Sequence, residues 1–349
     1  MSAADWSVIF YFGSIFFLMI LAVLFPYFDR VFAVFIASIL FFFSGFREGG
    51  FDYDAYLVMI QSGLESHNAS LIDAASYAKD PLFGVFTYGV SFFSSDEVFI
   101  FGVMVFFAVF TKLLFAFSMS GRSSSFLGLY AIFLAPGLEF AAVRTALGLG
   151  LFLLAIQRWS TRKYKNIFLV LAGLSHISVW VPVVAAYFQR KVSKRLNVLA
   201  LLGVVVVSFL TAESVRIWAP TRAEDYVGDL GTLNAVIVAL FCLFLVIFSF
   251  PKRALASSQV ESSFSNVALY NVSLVLMTIA VGAASPQVTL SSRILEISWC
   301  ITFVLFFRVG WFKRNIAQFW IGLFVFLAFL CFENIYRETW VAFYEFNIF

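Results

Sequence analysis

Arg47, Arg144 and Arg293 lie far apart in a chain of 349 residues, yet each stands at the end of a long apolar run. A guanidinium at a membrane edge is costly unless it is solvated or paired. Arginine's planar fork grips two oxygens of one oxyanion and stays charged at any working pH. The charge pattern described below puts all three on one side of a membrane. A shared anionic ligand is the simplest reason for such a gathering, and a diphosphate carried by a lipid suits it.

Each arginine sits in a polar, broken stretch. The first is Arg47-Glu48-Gly49-Gly50-Phe51-Asp52-Tyr53-Asp54-Ala55-Tyr56. Its paired glycines permit a tight turn or a close approach of backbone to a ligand. A polar helix cap followed by an interfacial tyrosine anchor accounts for the same residues. The second is Pro136-Gly137-Leu138-Glu139-Phe140-Ala141-Ala142-Val143-Arg144, where proline and glycine interrupt the chain between two apolar helices. Here Arg144 either serves a ligand or pairs locally with Glu139. The third runs from Ser285-Pro286 to Arg293, with Glu296 three residues on as a possible local partner. Asp80-Pro81 reads as a helix N-cap with proline at the first helical position. His176, in Leu174-Ser175-His176-Ile177-Ser178, is either a buried hydrogen-bonded side chain or a proton donor near neutrality. His67 lies in a polar loop and reads as solvated.

The elements that must position these residues follow from composition. The chain is 62% hydrophobic and 12% charged, with 48 phenylalanines, and its mean hydropathy is +0.96. Such a composition excludes an ordinary soluble domain and calls for lipid-facing helices. The expected fold is all-α and polytopic. Ten spanning helices are predicted, at about 6–25, 31–46, 97–119, 125–139, 142–158, 196–211, 233–250, 263–283, 294–309 and 315–332. A short helix over 81–94 is expected at the outer interface. The first apolar run is long enough to span and is preceded by Asp5, so it does not read as a cleavable signal. Cys242, Cys300 and Cys331 show no paired spacing and read as small core residues. No internal repeat or separate soluble domain is evident, so residues 1–349 are read as one integral membrane domain with a catalytic outer loop over 47–80.

Topology follows from lysine and arginine. The apolar stretch 167–188 has basic clusters on both flanks: Arg158, Arg162, Lys163 and Lys165 before it, Arg190, Lys191, Lys194 and Arg195 after it. The positive-inside rule wants both flanks cytoplasmic. A re-entrant pair of half-helices turning near Ser175-His176 satisfies that, provided the turn is buried in protein or lines a wet cavity. With this assignment 16 of the 23 basic residues face the cytoplasm, Lys112 among them, while Asp29 and Glu261 are the only acids there. Both termini and the three arginines fall outside. A rival topology makes 81–94 and 167–188 full spans and leaves the Arg158–Lys165 cluster on the wrong side.

In this order, the pieces resemble the EpsG-type branch of bacterial Wzy polysaccharide polymerases. The resemblance rests on Arg47, Gly50, Asp52, Tyr53 and Tyr56 in the first outer loop, and on Asp80 to Phe83 opening a short helix. It continues with Arg144 opening a small-residue-rich helix, His176 between basic loops, and Arg293 opening a late helix. The family often has threonine where this chain has Phe51, and glutamate where it has Asp80; neither change removes a charge.

The resemblance implies a glycosyltransferase in the bacterial inner membrane, with its active site on the periplasmic side. It would move a growing glycan from undecaprenyl diphosphate to the non-reducing end of a new lipid-linked repeat, making O-antigen, capsule or exopolysaccharide. Donor and acceptor are then both lipid-linked oligosaccharides, with membrane lipids and a chain-length regulator as further partners and no nucleic acid. On that reading Arg47, Arg144 and Arg293 bind the diphosphate, and His176 adds a donor or proton. Asp52, or else Glu139, takes the acceptor's proton, and Tyr53 and Tyr56 stack on sugar rings. Asp52-Tyr53-Asp54 also has a spacing that can hold Mg²⁺ on a diphosphate. Because arginines already supply positive charge, a metal-independent site without cofactor is expected.

Three rivals use similar parts. A flippase for the same lipid would line a path across the bilayer with its charges and often shows repeated halves. An O-antigen ligase would hand the glycan to a different acceptor. An intramembrane acyltransferase would need a histidine–acid pair, and neither histidine has one on a clear helical face.

Overall fold

The computed structural model describes residues 3–47, 52–65, 71–77, 80–119, 122–140, 142–157, 162–176, 178–180 and 182–183, together with Ile297, Cys300, Ile301 and Val304. Among the described residues the chain is helical and contains no strand. These residues fall into two compact units: one holds the described chain up to Gln157 with Leu174–His176, the other Arg162–Gly173 and the described residues beyond Ile177.

In the first unit, α1 (Ala3–Leu24) ends where Pro26 forbids continuation, and a 3₁₀ turn over Pro26–Phe28 leads into α2 (Asp29–Gly45). The outer segment then forms α3 (Tyr53–Glu65), α4 (Leu71–Tyr77) and α5 (Pro81–Ser91). Next come α6 (Glu97–Ala116), α7 (Ser123–Phe133) and α8 (Val143–Gln157). Helix α6 starts sharply because the Asp96 carboxylate accepts from the Val98 N–H at 3.1 Å. It packs most extensively on α8; α2 packs on α6 and α7, and α1 on α2 and α7.

Pro26–Gly45 and Glu97–Ala116 are long and apolar enough to cross a membrane, and Ile9–Leu24, Ser123–Phe133, Val143–Gln157 and Tyr164–Ser175 are shorter apolar helices. Their large side chains divide by side. Phe10, Phe16, Phe17, Phe35, Phe99, Phe106 and Phe107 are exposed, whereas Tyr11, Ile36, Leu40, Phe101, Phe115 and Phe126 are buried in the bundle. An apolar outside of this extent suits lipid as solvent.

Small residues set the helix spacing. Gly150 of α8 lies directly against Thr111 of α6, and Gly128 of α7 against Met19 of α1. Polar ties reinforce the packing. The Tyr11 hydroxyl donates to the Ala131 carbonyl at 2.9 Å, joining α1 to α7. Asp29, buried at the start of α2, accepts from the N–H groups of Ser123 at 2.8 Å and Ser124 at 3.1 Å, and from the Ser124 hydroxyl. It therefore caps α7 from a distant part of the chain, satisfying donors that no residue of α7 itself can reach.

The structure corrects three sequence expectations. The helix predicted over 125–139 stops at Phe133, and residues 134–140 form turns. Pro136 has no N–H to donate and bars helical geometry before it. The outer segment 47–80 is not a plain loop but carries two helices, with Tyr53, Tyr56 and Ile60 as the buried face of α3. Lys112, counted among the inner-face cations, is fully buried in the bundle.

In the second unit, α9 (Arg162–Ser175) begins among the basic residues and five positions earlier than the predicted 167. The helix breaks at His176, and residues 178–180 and 182–183 are helical again. The break falls where the re-entrant turn was placed. A side chain at Gly173 would stand 2.7 Å from the Trp180 ring, so the residues around this break pack tightly. Of the predicted helix 294–309, Ile297, Cys300, Ile301 and Val304 are helical and buried, at the spacing of one helix face. The predicted spans 196–211, 233–250, 263–283 and 315–332 lie outside the described residues.

The Gly150 contact makes a direct test. A methyl at 150 would lie 2.9 Å from Thr111 Cβ and closer still to its hydroxyl. Gly150→Ala is therefore expected to destabilise the bundle by roughly 1–3 kcal/mol through overpacking. The added change Thr111→Ala should recover part of the loss, read as the melting midpoint in detergent. A Gly150→Ala protein that melts like the wild type would show that α6 and α8 are not in close contact here.

Candidate functional site

Helices α3, α5, α6 and α8 gather one cluster. Arg47 follows α2 directly, its residue only 4% exposed. Its guanidinium carbon lies 5.8 Å from the Tyr53 ring centroid, 5.5 Å from that of Phe101 and 5.9 Å from that of Phe140. Tyr53 and Tyr56 both pack on Phe101, at 5.2 and 5.7 Å between centroids. Tyr56 in turn meets Arg144, whose guanidinium carbon is 5.3 Å from its ring. The Phe83 ring, on α5, is 5.7 Å from the same carbon. A continuous aromatic floor thus runs beneath two arginines separated by almost a hundred residues, an arrangement stabilised by the negative faces of the rings.

The two cations are held differently. Arg144 Nη1 is 2.5 Å from Asp80 Oδ2, and its backbone N–H and Nε approach the Tyr56 hydroxyl at 3.4 and 3.5 Å. This pair connects the start of α8 to the start of α5. Arg47 has Nε and Nη2 without a hydrogen-bond partner among the described residues. Those atoms form one edge of the guanidinium, the edge that matches two oxygens of a phosphate or carboxylate. Buried polar groups are normally satisfied, so this edge of Arg47 is an exception among the described residues. The Thr145 hydroxyl, next to Arg144, is also buried without a partner among the described residues.

Burial pushes the Arg47 guanidinium down to about 10, against the pull of Tyr56, Asp52 and Tyr53, which favour its charge. It is still a cation at neutral pH. Asp52 and Tyr56 thus lie within electrostatic reach of Arg47, placing it, Asp52, Tyr53, Tyr56, Asp80 and Arg144 in one neighbourhood.

Several expected roles meet a different geometry. Asp80 starts α5 but makes no side-chain cap; its carboxylate goes to Arg144 instead. Arg144 therefore pairs with Asp80, not with Glu139. Tyr53 and Tyr56 are 6% and 3% exposed, so their rings lie beneath the arginines instead of offering open faces to a sugar. Asp52 is half-buried and Asp54 exposed. Among the described residues no group of three or more histidine, cysteine or acidic side chains could hold a metal. His176 sits half-buried at the break after α9. Arg293 lies outside the described residues.

Glu139 belongs to another constellation. It is fully buried, with Oε1 2.6 Å from Lys112 Nζ and Oε2 accepting from the Tyr130 hydroxyl at 2.6 Å. Lys112 also donates to the carbonyls of Ala108 at 3.0 Å and Ala146 at 2.7 Å. Sequence reading missed this pair, though one signal was present: a lysine inside the apolar run 98–117 must find a partner.

The depressed Arg47 value has a stability consequence. Protonation favours the unfolded chain, so the cost is full below about pH 10 and fades only as pH rises above that. Arg47→Met keeps the apolar stem and removes the buried charge. It is expected to melt at or above the wild-type midpoint at pH 7 while losing activity, a trade seen at strained functional sites. An unfolded Arg47→Met protein would mean that the cation is structural.

A sequence profile of the EpsG family matches residues 30–347 of this chain. No curated protein and no solved structure matches it. The matched region contains the whole cluster from Arg47 to Arg144 and extends beyond Arg293. With its lipid-suited helices, this is an integral membrane protein, and the chain belongs to the EpsG family of Wzy-type polysaccharide polymerases.

Proposed function

We propose that the protein elongates a polysaccharide by moving a growing glycan from undecaprenyl diphosphate to the non-reducing end of a lipid-linked repeat. The reaction is placed at the outer face of the bacterial inner membrane, with ten spanning helices and a re-entrant segment around His176 completing the fold. Family membership supports a polymerase. The observation that carries the mechanism is the buried Arg47 fork beside the Asp80-held Arg144 over one aromatic floor.

In this reading the glycosyl–phosphate bond breaks and charge develops on the departing diphosphate. Arg47 takes two of its oxygens on Nε and Nη2, Arg144 stabilises a second phosphate, and Arg293 adds a third cation. Preorganised cations lower the barrier because they need not reorganise as the charge forms. Aromatic rings below them exclude water and strengthen that interaction. Asp52, half-buried and near Arg47, receives the proton of the acceptor hydroxyl. His176 supplies a further proton or hydrogen bond. Glu139 is left out of the chemistry, since Lys112 and Tyr130 already occupy its carboxylate. The arginines do the work of a metal, and no cofactor takes part.

Purified protein in detergent, given undecaprenyl-diphosphate-linked repeat, should make long lipid-linked glycan without any core acceptor. Alanine at Arg47, Arg144 or Arg293 should each lower the rate by about a hundredfold or more, with the protein still inserted and expressed. Normal-length polymer from all three variants would reject a shared diphosphate site. Movement of the lipid-linked sugar only in sealed vesicles, without elongation, would indicate a flippase. A second expectation is that EDTA leaves the rate unchanged; loss restored by Mg²⁺ would return Asp52 and Asp54 to consideration as metal ligands.

A further inference from the structure

The Lys112–Glu139 pair holds the segment that carries Arg144 and the Phe140 ring beneath Arg47. The Lys112 ammonium donates to the Ala108 carbonyl at 3.0 Å and the Ala146 carbonyl at 2.7 Å, and lies in ion-pair contact with Glu139 Oε1 at 2.6 Å. Its charge also lies 5.2 Å from the Tyr130 ring centroid, and the hydroxyl of that tyrosine donates to the other Glu139 oxygen. The turn after α7 is therefore tied at Glu139, and the first turn of α8 at Ala146. Between these anchors stand Phe140, which lies under Arg47, and Arg144, which grips Asp80.

We propose that Lys112 and Glu139 are positioning residues for catalysis, setting residues 139–146 so that Phe140 seats Arg47 and Arg144 reaches the diphosphate. Two features favour this over a purely structural role. An ion pair deep in an apolar bundle is weak evidence for stability, because desolvation offsets its attraction and packed apolar side chains do as well. Moreover, residues 134–140 are turns around Pro136, where the Phe140 N–H reaches back five residues to the Ala135 carbonyl at 3.0 Å, so Glu139 and Phe140 stand outside a regular α-helical ladder. A misplacement of about 1 Å at a reacting group can cost on the order of a hundredfold in rate.

This inference rests on the polymerase reading for its activity arm, and its second arm is independent of any reaction. Lys112→Met/Glu139→Met replaces both charges with apolar chains of similar length. Three quantities are read on the purified full chain: the melting midpoint, hydrogen–deuterium exchange across residues 139–146, and kcat and KM for elongation. The double variant should melt near the wild-type temperature, exchange faster over 139–146 with other helices unchanged, and lose at least tenfold in kcat. Wild-type exchange in that segment overturns the proposal. So does faster exchange with wild-type kcat. Should the double variant not fold, Tyr130→Phe takes its place; it removes one bond to Glu139 and keeps the ion pair. It should show the same changes at smaller size, and unchanged exchange and kcat overturn the proposal equally. If the wild type itself elongates nothing, the polymerase reading fails and the exchange result alone decides whether the pair holds the segment.

Discussion

The arrangement depends on where buried charge can be satisfied. Lys112 is the sole charged residue in the apolar body of α6, and in a medium without water it must find acceptors within protein. It finds them on its own helix, on the turn after α7 and on α8. One ammonium group thereby connects elements that apolar packing alone would leave free to slide. Gly150 lets α8 come close enough for this, since any side chain there would meet Thr111.

At the arginine cluster, the same constraint has a different solution. Arg47 and Arg144 rest on a floor of Tyr53, Tyr56, Phe83, Phe101 and Phe140 contributed by α3, α5, α6 and the turn before α8. Arg144 has Asp80; among the described residues Arg47 keeps two guanidinium nitrogens without a partner and bears the desolvation cost. A chain selected only for stability would have little reason to bury that charge. In the proposed mechanism ligand binding supplies one, because an oxyanion meeting a preorganised, poorly solvated fork gains more than it would in water.

Much of this was legible in the residues. The apolar runs place α1, α2, α6 and α8 to within a few positions, because lipid demands long uninterrupted hydrophobicity. The order of Arg47, Asp52, Tyr56, Asp80 and Arg144 also identified the parts of the cluster. Partnership was the harder matter. Asp80 before Pro81 has the pattern of a local cap, and local patterns cannot show that Arg144, 64 residues away, outcompetes the backbone for its carboxylate. Glu139 was read as a base or a partner of Arg144 because it is five residues distant in sequence. Tyr53 and Tyr56 have side chains able to stack on sugar rings, and their three-residue spacing puts both on the buried face of α3.

The sequence by itself determined that the chain is helical, that it belongs in a membrane, and which side chains are able to handle a phosphate. Those properties come from composition, period and side-chain chemistry, which are local. Only the tertiary structure decided which charges neutralise one another and which cation keeps an open edge. Pairing depends on distances between remote segments, and those are set by how helices pack. That is why Asp80 and Glu139, similar in charge, end with different partners.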